Sequence, residues 1–290
     1  MSDKTSPIYL ITKFTKLCKQ EGIRYASKKA FCFIKSKIGM IDPIYKRRVE
    51  LSDQIDTLLN SIVAYGPFKG LRLSREKWWG TAERANMLFG LYEQEILNSL
   101  TKIPPTHRTF VDLGAADGYY GVGVLINNLF DKSYCFEISN VGRNVIRQNA
   151  QQNGMLNRIS IYGTAEKDFY KYLPAKQLSK SVLLVDIEGG EFDLFDRRLF
   201  EIFKDSILIL ELHDHFFEDG HEKLRRLKRD ASEFFEITEL TTTSRDLSKF
   251  LELKEFNDTD RWLICSEGRR ALPHWYRLDP KDHRPAPPRP

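Results

Sequence analysis

Residues 109–125 read TFVDLGAADGYYGVGVL. Phe110, Val111 and Leu113 are apolar strand formers, and Gly114, Ala115, Ala116 and Gly118 follow at once. This order predicts a short buried strand, a tight turn of small residues and a helix starting at Tyr119. A turn so poor in side chains lets a ligand lie close against the backbone. The phosphate-binding pattern G-x-G-x-x-G does not fit, because Ala116 stands where its second glycine belongs. Asp112 ends the strand instead, and a carboxylate aimed into the turn repels a pyrophosphate but suits a cationic ligand.

Strand and helix patterns alternate from here on, which predicts an α/β fold with a mostly parallel sheet and helices on both faces. The first helix is expected over Tyr119–Asn128 and the second strand over Ser133–Ile138. Glu137 then lies near a strand end, where an acid accepts hydrogen bonds from ribose hydroxyls. A helix over Val141–Gln152 stops at Asn153-Gly154, and a third strand covers Ile159–Tyr162. Ala165 and Glu166 follow in a loop able to border an adenine ring. Glu166 either accepts the adenine amino protons or serves only as an acid at a helix N-terminus.

The fourth strand, Ser181–Ile187, runs into Asp186, Glu188, Gly189, Gly190 and Glu191. In an extended segment the carboxylates of Asp186 and Glu188 point to one side. Burying them alone is costly, so a cation, a metal or a hydrogen-bonding substrate is expected there. The fifth strand, Ile207–Leu212, brings Glu211, His213, Asp214 and His215 to the same rim. A basic helix over Gly220–Ala231 and strands over Phe234–Leu240 and Arg261–Cys265 complete seven strands, one of them antiparallel.

The pattern Asp-x-Gly-x-x-x-Gly at 112–118 resembles the first motif of class I S-adenosylmethionine-dependent methyltransferases. With LLVDIEGGEFDLF at 183–195 and LILELHDH at 208–215, the stretch 109–215 resembles the FkbM-like family, mainly through DIEGGE. The resemblance implies a Rossmann-like class I fold and S-adenosylmethionine as cofactor. It implies methyl transfer to a hydroxyl of a sugar or polyketide, commonly in bacterial polysaccharide and glycoconjugate pathways. Asp112, Gly114, Ala115 and Gly118 match the cofactor loop, Glu137 the ribose acid, and Asp186 with Glu188 the fourth-strand motif. Ala165, Glu166 and Asp186 complete the expected cofactor contacts. Ala116 departs from the glycine of many methyltransferases but is small.

A sulfonium cofactor carries an activated methyl group, so the protein has to align the acceptor oxygen and remove its proton. His213 is the candidate base and Asp186 the alternative. Magnesium or manganese held by Asp186, Glu188, Glu211 and His213 would acidify the hydroxyl instead. Two other classes remain: a nicotinamide-dependent oxidoreductase, disfavoured by Ala116 and Asp112, and a non-catalytic binding module with the same fold.

The chain of 290 residues, 41% hydrophobic, divides by pattern into four parts. These are a basic helical arm over 1–50, a helical accessory region over 51–104, the cofactor domain over 105–279 and a proline-rich tail over 280–290. The arm holds twelve Lys or Arg against four acids, so it carries the chain's positive excess. Such an arm either packs on its own domain or lies on an anionic membrane surface. Nucleic acid is not an expected partner, because the excess is confined to the arm. No signal-peptide core or apolar span is present, which makes a cytoplasmic location the expectation. Cys18, Cys32, Cys135 and Cys265 lack metal-site spacing. Trp78 and Trp79 serve either the core or a substrate pocket.

Overall fold

The structure is a computed structural model and describes residues 42–76, 78–269 and 272–281. The first helix, α1 (Pro43–Leu58), has Pro43 at its start, and the Asp42 side chain accepts from the Ile44 N–H at 2.9 Å. It is followed by α2 (Arg84–Leu88) and α3 (Gln94–Thr101). The alternating part then runs β1 (Thr109–Leu113), α4 (Tyr119–Ile126), β2 (Lys132–Phe136), α5 (Asn140–Gln152) and β3 (Ile159–Tyr162). It continues with α6 (Ala175–Leu178), β4 (Ser181–Val185), α7 (Glu191–Leu194), α8 (Arg197–Ile202), β5 (Ile207–Glu211) and α9 (Gly220–Ala231). The last elements are β6 (Phe235–Leu240), α10 (Asp258–Cys265) and β7 (Trp275–Pro280).

The seven strands form one sheet in the order β3-β2-β1-β4-β5-β7-β6. β1 to β5 are parallel, and β7 runs antiparallel to both β5 and β6. This is the Rossmann-like class I methyltransferase fold. β1 is buried at all five positions, so its side chains alternate between two apolar layers. Phe110 packs into one layer with Val122, Val124 and Phe130, whereas Val111 and Leu113 enter the other with Phe169, Phe200 and Phe203. The strand order reverses between β1 and β4, and the crevice above their carboxyl ends is where such sheets bind ligands.

One expected strand is corrected. Arg261–Cys265 is part of the helix α10 and not a strand. Asn257 caps it by accepting from the Asp260 N–H at 2.9 Å, and Asp258 and Asp260 sit in its first turn. These N-terminal signals outweigh a short apolar run that periodicity alone cannot assign. The reversed strand is Trp275–Pro280, paired residue for residue with β6 from Leu240↔Trp275 to Phe235↔Pro280.

Within the accessory region, α2 and α3 are separate helices. Gly90 (φ 63°) and Glu93 (φ 45°) take left-handed backbone between them. A side chain on Gly90 would strike the Tyr65 carbonyl, so the chain turns where only glycine fits.

Helix α1 crosses residue 50 and ends before Ile62, which forms an isolated bridge with Arg72. Its Leu51 and Ile55 share a core cluster with Leu88, Leu97 and Phe110, so residues 43–101 close one face of the sheet. Residues 1–41 of the basic arm and 282–290 of the tail lie outside the described residues. At the arm's described end, the Arg47 guanidinium donates to both Asp260 oxygens at 2.9 and 2.7 Å. Buried Arg48 donates to the Ser266 carbonyl at 2.8 Å. Among the described residues no helix is long and apolar enough to cross a membrane.

Candidate functional site

The turn after β1 is built from left-handed positions at Gly114 (φ 93°), Ala116 (φ 47°) and Gly118 (φ 82°). The Gly114 and Ala115 N–H groups donate to the Phe136 carbonyl at 2.9 and 3.0 Å, tying the turn to β2. The Leu113 carbonyl accepts from the Asp186 N–H at 2.9 Å, tying it to the end of β4. Asp112 sits beneath this turn and is 3% exposed. Its Oδ2 accepts no hydrogen bond, although the Gly121 backbone N–H supports the carboxylate. Burial, with Asp186 and Glu137 adding negative charge, pushes its carboxyl well above the usual range.

Glu137 follows β2 directly and is buried. One oxygen accepts from the Ala116 N–H at 2.8 Å and the other from the Ser139 N–H at 2.7 Å. The expected ribose acid therefore also anchors the left-handed residue of the turn after β1. A side chain on Gly142, in the first turn of α5, would meet Glu137, the Ala116 carbonyl and the Trp78 ring. Trp78 and Trp79 have ring centroids 5.9 Å apart, and Trp79 lines the cleft above the turn. The pair is thus both packed and site-lining. Ala165 is half-buried against the layer that holds Phe136, while Glu166 is exposed and its carbonyl accepts from Phe169 N–H at 2.8 Å.

At the β4 and β5 ends the chain brings Asp186, Glu211 and His213 together, with one ligand atom of each within 4.8 Å of the others. The His213 Nε2 is 3.7 Å from Asp186 Oδ1 and 3.9 Å from Glu211 Oε2. Asp186 Oδ1 accepts no hydrogen bond. Glu188 is not in this group. β4 ends at Val185 and Glu188 adopts φ 54°, so the expected alternation of Asp186 and Glu188 along one extended side does not hold. Burial pushes Asp186 up to about 7 against the pull of His213, and pushes Glu211 well above the carboxylate range. For His213 burial acts downward, but the hydrogen bond to Glu191 and the charge of Asp186 leave its pKa raised.

Sequence reasoning missed four residues here. Glu191, fully buried, accepts from the His213 backbone N–H at 2.8 Å and faces its Nδ1 at 3.3 Å. Arg269 donates to Glu211 Oε1 and Glu267 Oε2 at 2.8 Å each, and pairs with buried Glu93. The Tyr120 hydroxyl donates to Glu93 Oε2 at 2.8 Å. Glu93 carries no local signal, because it meets Arg269 from a distant part of the chain. Glu191 was visible as the last residue of DIEGGE, but its partner was not.

The cleft between these groups is walled by Trp79, Met87, Tyr92, Tyr119 and Trp275 over the floor of Asp112, Gly114 and Ala115. An apolar wall with converging carboxylates suits a ligand that carries positive charge next to an apolar body. His213, 6% exposed, lies behind the lining residue Asp186, its Nε2 3.7 Å from Asp186 Oδ1.

No family model matches the chain, and no curated protein matches it. Several solved structures are similar to parts of it. An O-methyltransferase from Bacillus cereus in complex with SAH is 14% identical, over 87% of this chain and 97% of that one, with a TM-score of 0.43. The methyltransferase domain of METTL16 is 13% identical over 79% of each chain, with a TM-score of 0.48. A putative precorrin-6Y C5,15-methyltransferase targeted domain from Corynebacterium diphtheriae is 19% identical, over 66% of this chain and 99% of that one, with a TM-score of 0.42. At such identities and TM-scores no activity is carried over to this chain.

Proposed function

We propose that this chain is an S-adenosylmethionine-dependent O-methyltransferase whose acceptor is a hydroxyl of a sugar or glycoconjugate. One observation carries the cofactor reading. Asp112 is a buried carboxylate with an unpartnered oxygen directly under the turn at the strand-order reversal, and Glu137 stands at the next strand end. That pair suits a cationic aminoacyl sulfonium and a ribose, and does not suit a pyrophosphate.

When bound, the cofactor supplies the activated methyl group. The chain's own residues do the rest. The left-handed turn at Gly114 to Gly118 keeps the floor free of side chains. Trp79 and Trp275 exclude water from the cleft. His213 Nε2, at the rim, takes the acceptor hydroxyl proton as oxygen–carbon bonding begins, and Asp186 beside it stabilises the imidazolium that forms. Asp186, Glu211 and His213 also fit a hard divalent cation, because they offer two oxygens and one nitrogen and Asp186 Oδ1 is unpartnered. Magnesium or manganese held there would acidify the same hydroxyl. The sugar acceptor is supported by the resemblance of residues 109–215 and by the acid-lined rim, which is rich in hydrogen-bond acceptors for a polyol.

Calorimetric titration with S-adenosylmethionine, S-adenosylhomocysteine and NADH tests the cofactor. Binding of the first two and not the third is expected, and the reverse overturns the reading. A screen of sugars, nucleotide sugars and lipid-linked glycans with a radiolabelled methyl donor then tests the acceptor class. Transfer to a nitrogen or carbon acceptor alone would refute the oxygen assignment.

A further inference from the structure

Glu191 is fully buried at the start of α7. A buried carboxylate needs partners for its lone pairs. Its Oε2 accepts from the Gly189 N–H at 2.8 Å. Its Oε1 accepts from the His213 backbone N–H at 2.8 Å and lies 3.3 Å from the His213 Nδ1. One oxygen therefore holds a single residue at two points, backbone and ring. The Phe216 ring stacks on the imidazole, with centroids 5.2 Å apart and planes 29° apart, and blocks rotation from the other side.

The chemistry of this contact selects a tautomer. A carboxylate only accepts, so a ring nitrogen that hydrogen-bonds to Oε1 donates. The proton of a neutral imidazole then sits on Nδ1, and Nε2 keeps its lone pair. Nε2 is the nitrogen turned toward Asp186 Oδ1 and Glu211 Oε2. We propose that Glu191 is a positioning residue: it fixes His213 in the Nδ1–H tautomer and presents Nε2 to the cleft as the acceptor. The proposal rests on the methyltransferase reading of the site. It also accounts for the carboxylate lying at the Nδ1 edge of the ring, while Asp186 faces Nε2.

Nitrogen NMR on the full-length protein with labelled histidine, saturated with S-adenosylhomocysteine, reads the tautomer directly at a pH where the ring is neutral. Replacing His213 assigns its signals. Wild-type protein is expected to show Nδ1 as the protonated nitrogen and Nε2 as the bare one. In Glu191→Leu the Nδ1–H form should fall from dominant to minor. Glu191→Gln should restore it, because the amide oxygen can accept from the same ring N–H. A wild-type His213 carrying its proton on Nε2 overturns the proposal without any variant. An unchanged tautomer in a folded Glu191→Leu protein overturns it too, and reduces Glu191 to a strut between two loops. Absence of S-adenosylhomocysteine binding counts against the methyltransferase reading instead, and the tautomer can still be read in the ligand-free protein.

Discussion

The backbone carbonyl of Asp186 occupies the space that a side chain on Gly114 would need. The two residues directly follow neighbouring parallel strands, and the Asp186 N–H is bonded to the Leu113 carbonyl at 2.9 Å. The glycine is thus required twice, by its φ of 93° and by the closeness of the β4 end. Gly114→Ala should cost roughly 2–4 kcal/mol of stability through strain and collision. Chemical denaturation measures that cost. Cofactor affinity should fall with it, because the β1 turn and Asp186 must move apart. An alanine variant of wild-type stability and affinity would show that the approach is looser than described.

Glu137 is predicted to act on both the turn and the ligand. Glu137→Ala leaves the Ala116 and Ser139 N–H groups without their acceptor, at a cost of about 1–3 kcal/mol. Affinity for S-adenosylmethionine should fall at least about tenfold beyond what the loss of stability explains. Glu137→Gln retains the shape and one acceptor, so it should be the milder change in both measurements. Unchanged calorimetric affinity in a folded Glu137→Ala protein would remove this residue from the ribose site.

The acids of the cleft should make stability fall as pH rises. Burial raises Asp112 far above the roughly 3.9 of an unfolded aspartate, so the native state keeps a proton that the unfolded chain releases. The sign follows from that difference. Above about pH 4 the unfolded state binds fewer protons, and stability declines until the folded group also ionises. Asp112→Asn should flatten this decline and raise the melting temperature at pH 7 relative to wild type, with little change at pH 4. It should also weaken S-adenosylmethionine binding, because the countercharge to the cation is lost. Parallel melting curves of variant and wild type from pH 4 to pH 8 would contradict the burial argument.

The basic arm is predicted to bind anionic membranes. Twelve Lys or Arg lie in residues 1–50, and Arg47 and Arg48 among them are engaged inside the fold. A basic residue near an anionic surface contributes about 1 kcal/mol, weakened by salt. Full-length protein should co-sediment with anionic vesicles at low salt and less so at high salt. A chain starting at residue 42 should stay in the supernatant and keep its affinity for S-adenosylmethionine. Full-length protein that ignores such vesicles at low salt refutes the membrane role.

Local patterns determined much of this protein. The run of apolar residues into Gly114, Ala115, Ala116 and Gly118 specified β1, its turn and the start of α4, because a buried strand and a left-handed turn need those residue types in that order. β3 at Ile159–Tyr162 and α9 at Gly220–Ala231 begin and end where their patterns do. The acids at the strand ends were legible because a parallel sheet places every strand end on one rim. Tertiary structure alone decided the rest. Trp275–Pro280 is the reversed strand because it finds two antiparallel neighbours, while a capped first turn draws Arg261–Cys265 into a helix. Glu188 leaves the rim group because left-handed backbone ends the alternation that sequence spacing assumes. The pairing of Glu191 with His213, and of Arg269 with Glu93 and Glu211, joins residues far apart in the chain. Spacing along the chain carries no record of such pairs, since a buried carboxylate chooses its donor by which groups the packed layers bring within reach.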